Sequence, residues 1–283
     1  MDMGIDQTKT VVVTGANGLV GRALLQKLQQ TQAYVIALTR SSVELPANRV
    51  VTGPLDAPPA VAAIGGADCV VHLAGTFFPI GKSSYWADNV VATGAVANTL
   101  KNSKAKRVLF LSHVGASEDS KNQYLRTKAQ AERLLTATNK EVVIFRCTHI
   151  VGTPESPGPY GLSLIAKPGK KAGVLGTGRQ MIAPLYLGDV VTALILAMTK
   201  GSPGVYELAG PEQMPVDELV RIVNRNPQVP ISHLPNPIAR ALGAVLPMLP
   251  GPFVDVVLKD SLGDPSRAKS TFGLSLTSLR SVW

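Results

Sequence analysis

Apolar residues follow two alternating rhythms along the first 150 residues. Short β-branched runs cover Thr10–Val13, Tyr34–Leu38, Val50–Thr52, Cys69–Leu73, Arg107–Leu111 and Val142–Arg146. Runs this short and this uniformly apolar suit strands buried on both faces. Helical spacing fills the gaps. In Gly18–Gln30 the residues Leu19, Val20, Ala23, Leu24 and Leu28 share one face; Trp86–Ser103 and Tyr124–Asn139 repeat the pattern, and Pro58–Ile64 carries a weaker version. Strand and helix in alternation predict an α/β architecture, a doubly wound parallel sheet with helices over both faces.

The rhythm breaks after Val151. Pro154, Pro157, Gly158, Pro159 and Gly161 make a breaker-rich loop of the kind that carries substrate contacts in such folds. A helix is expected from Asp189 to Ala197, a strand over Val205–Leu208, and a helix from Pro215 to Asn224 with Asp217 and Glu218 in its first turn. The chain should therefore divide into a dinucleotide-binding core, residues 1–150, and a mixed region, residues 151–283. The second region returns partly to the core and forms a small C-terminal substrate subdomain. Its apolar stretch Ile238–Leu258 is interrupted by Arg240, Pro247, Pro250, Pro252 and Asp255, so it reads as core or lid helices rather than a membrane span.

Composition narrows the function. Apolar residues make up 45% of the 283, enough for a sizeable core. The net charge of +9 raises nucleic-acid binding, but residues 1–150 hold an excess of six cations and residues 151–283 an excess of three, so the charge is not concentrated. The densest group, Lys101, Lys104, Lys106 and Arg107, complements a helix end. The reading is of no nucleic-acid partner, while a small and even anionic molecule suits the modest excess. Peripheral membrane or complex association stays open but is not indicated by the sequence. Cys69 and Cys147 are too few for a disulfide scaffold, and His72, His113, His149 and His233 lack metal-ligand spacing, so no metal is expected. The opening MDMGIDQTK has no basic-then-apolar leader, and a cytoplasmic location is expected.

The most specific motif is VVVTGANGLVGRALLQKL, Val11–Leu28. Its glycines, Gly15, Gly18 and Gly21, follow a strand and open a helix, the context a dinucleotide needs. Gly15 permits the sharp turn, Gly18 clears the path of the pyrophosphate, and Gly21 lets the helix pack on the sheet. Free amides at the helix start then face the anion. After the second strand the chain reads Leu38-Thr39-Arg40-Ser41-Ser42, with no carboxylate for a ribose 2′-hydroxyl pair. Arg40 suits a 2′-phosphate, which favours NADP(H) over NAD(H). Arg22 is a second cation that either joins it or stays a surface residue.

The second motif sits in Val108–Leu135. Tyr124 and Lys128 are four residues apart at the start of a helix, one above the other on one face. A phenol needs a neighbouring cation to titrate near neutrality, and an ammonium there also reaches a cofactor ribose. The pair could pass a proton to or from a substrate oxygen while hydride moves.

These segments together resemble the short-chain dehydrogenase/reductase superfamily, and within it the atypical and extended, nucleoside-diphosphate-sugar epimerase-like members. The resemblance runs through TGANGLVG (Thr14–Gly21), HLAG (His72–Gly75), LSHVGA (Leu111–Ala116), YLRTKAQAE (Tyr124–Glu132), FRCTHIVG (Phe145–Gly152), PLYLGDVVTAL (Pro184–Leu194) and YELAGPE (Tyr206–Glu212). It is closest to the subgroup of the dehydrogenase-like accessory subunit of respiratory complex I. It implies a Rossmann fold and bound NADP(H), with Asn17, Leu19 and Val20 of the glycine turn and Leu73, Ala74 and Gly75 lining the cofactor beside Lys128. It also implies Tyr124 as acid/base, Lys128 as its partner and Ser112 as the donor to the substrate oxygen. Ser117 is a weaker alternative, His72 and Asn89 suit structural roles, and Cys147 replaces a proline usual beside the nicotinamide. Two functions remain open: an NADP-dependent oxidoreductase or epimerase-like enzyme of unknown substrate, and a cofactor-bound accessory or redox-sensing protein without turnover.

Overall fold

The computed structural model describes residues 9–158, 161–246 and 249–283; Pro159, Pro247 and all but the last residue of MDMGIDQTK lie outside the described residues. In chain order the first half comprises β1 (Thr10–Thr14), α1 (Leu19–Leu28), β2 (Tyr34–Thr39), β3 (Arg49–Thr52), α2 (Pro58–Gly65) and β4 (Cys69–His72). A π-helical turn, Trp86–Val91, then leads into α3 (Ala92–Lys101), followed by β5 (Arg107–His113), α4 (Gln123–Thr136) and β6 (Glu141–Cys147). The second half contains β7 (Ile150–Val151), α5 (Gly161–Ile165), β8 (Ala172–Leu175), β9 (Met181–Ile182), β10 (Leu185–Tyr186), α6 (Leu187–Ala197) and β11 (Gly204–Leu208). It ends with β12 (Met214–Pro215), α7 (Val216–Asn224), β13 (Ile231–Leu234), α8 (Asn236–Val245), α9 (Gly251–Val257) and α10 (Ser266–Phe272).

Seven strands form one sheet in the order β11-β6-β5-β4-β1-β2-β3, and every pairing in it is parallel. Because side chains alternate across a strand, each strand feeds two cores. Val11 and Val13 face α1, α6 and α10 through Leu24, Leu28, Leu194 and Phe272. Val12, Val108, Phe110 and Ile144 face α2, α3 and α4 through Ile64, Leu100 and Leu135. That two-sided burial is why the strands read as apolar runs. The chain order reverses direction in the sheet between β1 and β4, and ligands of such sheets bind at the carboxyl ends on either side of that reversal.

Three differences from the sequence pattern bear on the site. The helix expected over Trp86–Ser103 begins as a π-turn and becomes α-helical only at Ala92. β5 continues two residues beyond Leu111, to His113, in register with Cys147. In the proline-broken tail, Pro235 and Pro250 stand at the N-caps of α8 and α9, and Pro237 and Pro252 follow in their first turns. Proline has no amide to lose there, so residues that read as breakers start helices.

A Cβ on Gly21 would lie 2.6 Å from the carbonyl oxygens of both Ala16 and Gly15, so α1 seats against the turn at backbone distance. Gly21→Ala should therefore lower stability by about 1–3 kcal/mol, the scale of overpacking at a rigid contact. Urea denaturation of the variant checks this, and an unchanged midpoint would refute the contact.

Candidate active site

The glycine turn lies at the carboxyl end of β1. Gly15 has φ +64°, and a Cβ on it would come within 2.5 Å of Ala74 N, so the turn passes directly against the Leu73–Ala74 backbone after β4. Gly18 is the N-cap of α1 and makes no side-chain cap. A Cβ there would meet only Gly15 O, at 3.3 Å. The open face above Gly18 and the uncapped first turn of Leu19, Val20 and Gly21 fit a pyrophosphate. Asn17 is braced from behind: Arg22 Nε donates to its carbonyl at 3.2 Å and Nη2 to its Oδ1. Arg22 therefore stiffens the turn rather than facing a phosphate.

At the end of β2, Arg40 Nη1 lies 3.0 Å from Asp88 Oδ1 on the π-turn, and Asp88 also accepts from Ser83 Oγ. Thr39 Oγ1 donates to Ser41 O at 2.8 Å, so its hydrogen is spent within the loop. Ser41 and Ser42 remain exposed.

Tyr124 and Lys128 lie on the buried face of α4. The cap of this helix is Asn122, whose Oδ1 accepts from Leu125 N at 3.2 Å while its Nδ2 donates to Pro252 O of α9 at 2.8 Å. Lys128 Nζ donates to Leu111 O at 2.6 Å and sits 4.1 Å over the Phe110 ring. It lies 3.9 Å from where a Cβ on Gly75 would stand, so the lysine and the turn after β4 are neighbours. Burial pushes the Lys128 ammonium down to about 8, opposed by the carboxylate of Glu132. Glu132, one turn further along α4, is held by Arg146 through Nε at 3.0 Å and Nη2 at 2.6 Å.

Aromatic rings enclose Tyr124, with centroids of Phe77 at 4.8 Å, His113 at 5.5 Å and Tyr85 at 5.7 Å. Burial raises its phenol above the ordinary value, with Cys147 and Tyr85 acting in the same direction. Spacing alone suggested a tyrosine tuned downward by its lysine. In this structure the ammonium is engaged by Leu111 O and desolvation governs the phenol, which keeps its proton at neutral pH. Ser112, by strand alternation, falls on the Phe110 face of β5 toward α4; its Oγ is buried without a hydrogen-bond partner among the described residues. Ser117 Oγ instead accepts from Asp119 N in an exposed turn. His113 Nδ1 donates to Val114 O at 2.7 Å, and its buried Nε2 has no partner among the described residues.

Sequence reasoning missed the polar chain that joins these parts. Ala74 N donates to Thr14 Oγ1 at 3.1 Å, and Thr14 Oγ1 lies 2.7 Å from His72 Nδ1. On the other side His72 Nε2 lies 2.9 Å from Thr93 Oγ1, which donates to Asn89 O at 2.5 Å. Thr93 spends its one hydrogen on that carbonyl, so His72 carries its proton on Nε2 and Thr14 donates to Nδ1. Asn89 continues outward: its Oδ1 accepts from Thr76 N at 2.9 Å, and its Nδ2 donates to Thr76 O at 3.2 Å and Thr127 Oγ1 at 3.1 Å. Threonines carry no spacing signal, so only the buried fold brings them together.

The geometry is that of a Rossmann-like α/β protein with a buried tyrosine and lysine on α4 beside the turn after β4. The NAD dependent epimerase/dehydratase family model matches residues 11–209, and the chain belongs to that family. It is 28% identical over 255 residues to the mitochondrial NADH dehydrogenase (ubiquinone) 1 alpha subcomplex subunit 9 of Arabidopsis thaliana, covering 82% of this chain and 62% of that protein. It is 27% identical to the ceramide reductase of Caulobacter vibrioides, covering 73% and 66%, and 27% identical to the 2-alkyl-3-oxoalkanoate reductase of Stenotrophomonas maltophilia, covering 74% and 73%. The chain thus spans less than two thirds of the mitochondrial subunit's length. The solved structure of MoeE5 with UDP-glucuronic acid and NAD superposes with a TM-score of 0.78 at 22% identity, covering 96% of each chain, a likeness of fold. Among the described residues no helix is long and apolar enough to cross a membrane, and no cluster of His, Cys, Asp and Glu could hold a metal.

Burial pushes His72 and His149 down to about 3 and His113 to about 4; the Lys128 ammonium acts in the same direction on His72 and His113, and the bond to Val114 O opposes it at His113. In the unfolded chain each binds a proton below about pH 6.5. Between about pH 6.5 and 4 the unfolded state therefore holds more protons, and stability falls as pH falls, by up to about 1.4 kcal/mol per pH unit for each histidine. His72→Gln keeps a donor and an acceptor but cannot titrate, and should remove about a third of that slope, since His113 and His149 titrate in the same window. Urea unfolding across the window checks it; identical slopes in both proteins would show that His72 is not the titrating group.

Proposed function

We propose that the protein is an NAD(P)(H)-dependent oxidoreductase of the short-chain type that reduces a carbonyl on a small molecule. The observation that carries this reading is the placement of Tyr124 and Lys128 on one buried face of α4, with Nζ on Leu111 O and beside the Gly75 turn. Gly15, Asn17, Gly18, Leu19, Val20 and Gly21 would hold the pyrophosphate, with Leu73, Ala74 and Gly75 along the ribose and nicotinamide. The bound dinucleotide supplies the hydride. Tyr124 gives its proton to the carbonyl oxygen, and the burial that raises its phenol suits it to act as acid. Ser112 Oγ, without a protein partner, donates to the same oxygen. Lys128, charged at neutral pH, stabilises the phenolate left behind and reaches the cofactor ribose. The C-terminal region, residues 151–283, closes over this edge as a substrate subdomain. Two free, buried cysteines suit a reducing compartment such as the cytoplasm.

Within this reading NADPH is the preferred cofactor. Arg40 must leave Asp88 to bind a 2′-phosphate, but its side chain is 79% exposed, and exposed pairs contribute only about 0–1 kcal/mol. A charge-assisted bond to phosphate contributes about 1.5–3 kcal/mol, so the exchange is favourable. A second reading, a cofactor-bound accessory or redox-sensing protein without turnover, is favoured by the closure of Phe77 and Tyr85 over Tyr124 and by the mitochondrial subunit relative. It requires slow cofactor exchange and no NADPH consumption on any carbonyl.

Tyr124→Phe should lower turnover by roughly 10²–10⁴-fold, the scale of general acid catalysis, with cofactor affinity nearly unchanged. Lys128→Met should weaken both. Near-normal turnover in the phenylalanine variant would refute the mechanism.

Arg40→Ala should weaken NADPH by roughly tenfold to a hundredfold and leave NADH unchanged. Calorimetric titration of both cofactors decides it; equal losses would mean that Arg40 does not read the phosphate.

A further inference from the structure

The walls around Tyr124 are largely aromatic and come from both halves of the chain, with the neutral imidazoles of His113 and His149 beside Phe77. Phe77 packs on Tyr124, and Phe253 of α9 packs on Phe77 at 5.0 Å and on Phe78 at 4.8 Å. Val256 of α9 and Leu125 of α4 close the same cluster. Phe253 also belongs to a second cluster, with Ala239 of α8 and Val254 and Leu258, so its ring links the wall of the site to the α8–α9 pair. On α8 and its end, next to the Ala239 that packs with Phe253, Ile238 is 49% exposed, Val245 71% and Leu246 45%. Against this stand few unpaired polar atoms: Ser112 Oγ and His113 Nε2 are buried without partners among the described residues. Arg240 is engaged by Asp255 at 3.4 Å, and Arg280 by Glu218 and Glu212. A few polar groups, the Tyr124 hydroxyl, Ser112 Oγ and His113 Nε2, inside a largely aromatic wall, with Arg240 and Arg280 already paired, suit a carbonyl on an alkyl chain better than a sugar diphosphate.

Resting on the reductase reading, we propose that the substrate is a hydrophobic ketone or aldehyde, whose chain lies against the outer faces of Phe77, Phe78 and Phe253 and leaves along α8. The C=O carbon gains hydride from the reduced dinucleotide, the oxygen gains the Tyr124 proton, and the product is the secondary or primary alcohol with the dinucleotide oxidised. Tyr124 is reprotonated from solvent. Phe253 here is a specificity residue, since it touches the chain and not the reacting atoms.

The test is calorimetric titration of the NADPH-loaded protein with straight-chain 2-alkanones from 2-butanone to 2-decanone, and with UDP-glucuronic acid, while NADPH absorbance is followed separately. Affinity should rise roughly fourfold per methylene over the first members, the transfer free energy of a buried CH₂ read as an affinity ratio. Phe253→Ala should flatten that rise, and Phe253→Leu, which keeps the packing of α9, should retain most of it. Affinity independent of chain length overturns the proposal, as does tighter binding of UDP-glucuronic acid that is lost in Arg179→Ala, the exposed cation of the neighbouring loop. Alkanones that bind with this ladder without consuming NADPH would uphold the apolar site and remove the reductase reading. Turnover of a polar carbonyl through Tyr124, with no alkanone bound, would do the reverse.

Discussion

A fully buried imidazole must satisfy both ring nitrogens, and His72 does so with two hydroxyls that it cannot exchange for water. Thr14 ends β1, His72 ends β4, and Thr93 stands at the start of α3, so three elements are fixed to one planar ring. Every proton in the run from Ala74 N to Asn89 O points the same way. That polarity leaves the Asn89 side chain free to clamp Thr76 and to reach Thr127 on α4. The turn that would receive the pyrophosphate and the helix that carries Tyr124 are thereby set against each other through buried, neutral hydrogen bonds, which salt does not screen.

Desolvation then decides the chemistry at that edge. It acts on opposite charges with opposite sign, raising the phenol of Tyr124 and lowering the ammonium of Lys128. The two groups are brought toward a protonated acid beside a cation that is still charged. The Glu132–Arg146 pair keeps Lys128 from falling further by placing a carboxylate one helical turn away. Burial behind the aromatic wall thus sets the protonation of both groups.

The order of strands and helices was legible because each strand is buried on both faces and each helix on one, which writes the pattern into apolar residues. Gly15 and Gly21 were legible for the same reason in reverse, since backbone approach at Ala74 and Ala16 leaves no room for a side chain. Tyr124 and Lys128 could be paired because four residues is one turn. What failed to show was everything set by neighbours distant in the chain. The engagement of Arg40 by Asp88 spans 48 residues and that of Asn122 by Pro252 spans 130. Two-residue strands such as β7 and β10 are too short to have a period, and prolines in the tail carry the same letter whether they end a helix or begin one.

The π-turn at Trp86–Val91 holds one residue more than an α-helix would use to cover the same rise. A residue in an α-helix advances about 100° around the axis, so the extra one rotates everything before it relative to α3 by about that angle. Asp88 can then turn outward to Arg40 while its neighbour Asn89 turns inward to Thr76 and Thr127. Removing a single residue from this segment would change no chemical group in the site, yet it would put Asn89 out of phase with both partners. Arg40 at the end of β2 and Thr127 beside Tyr124 on α4 are, in this sense, timed by the same helical miscount.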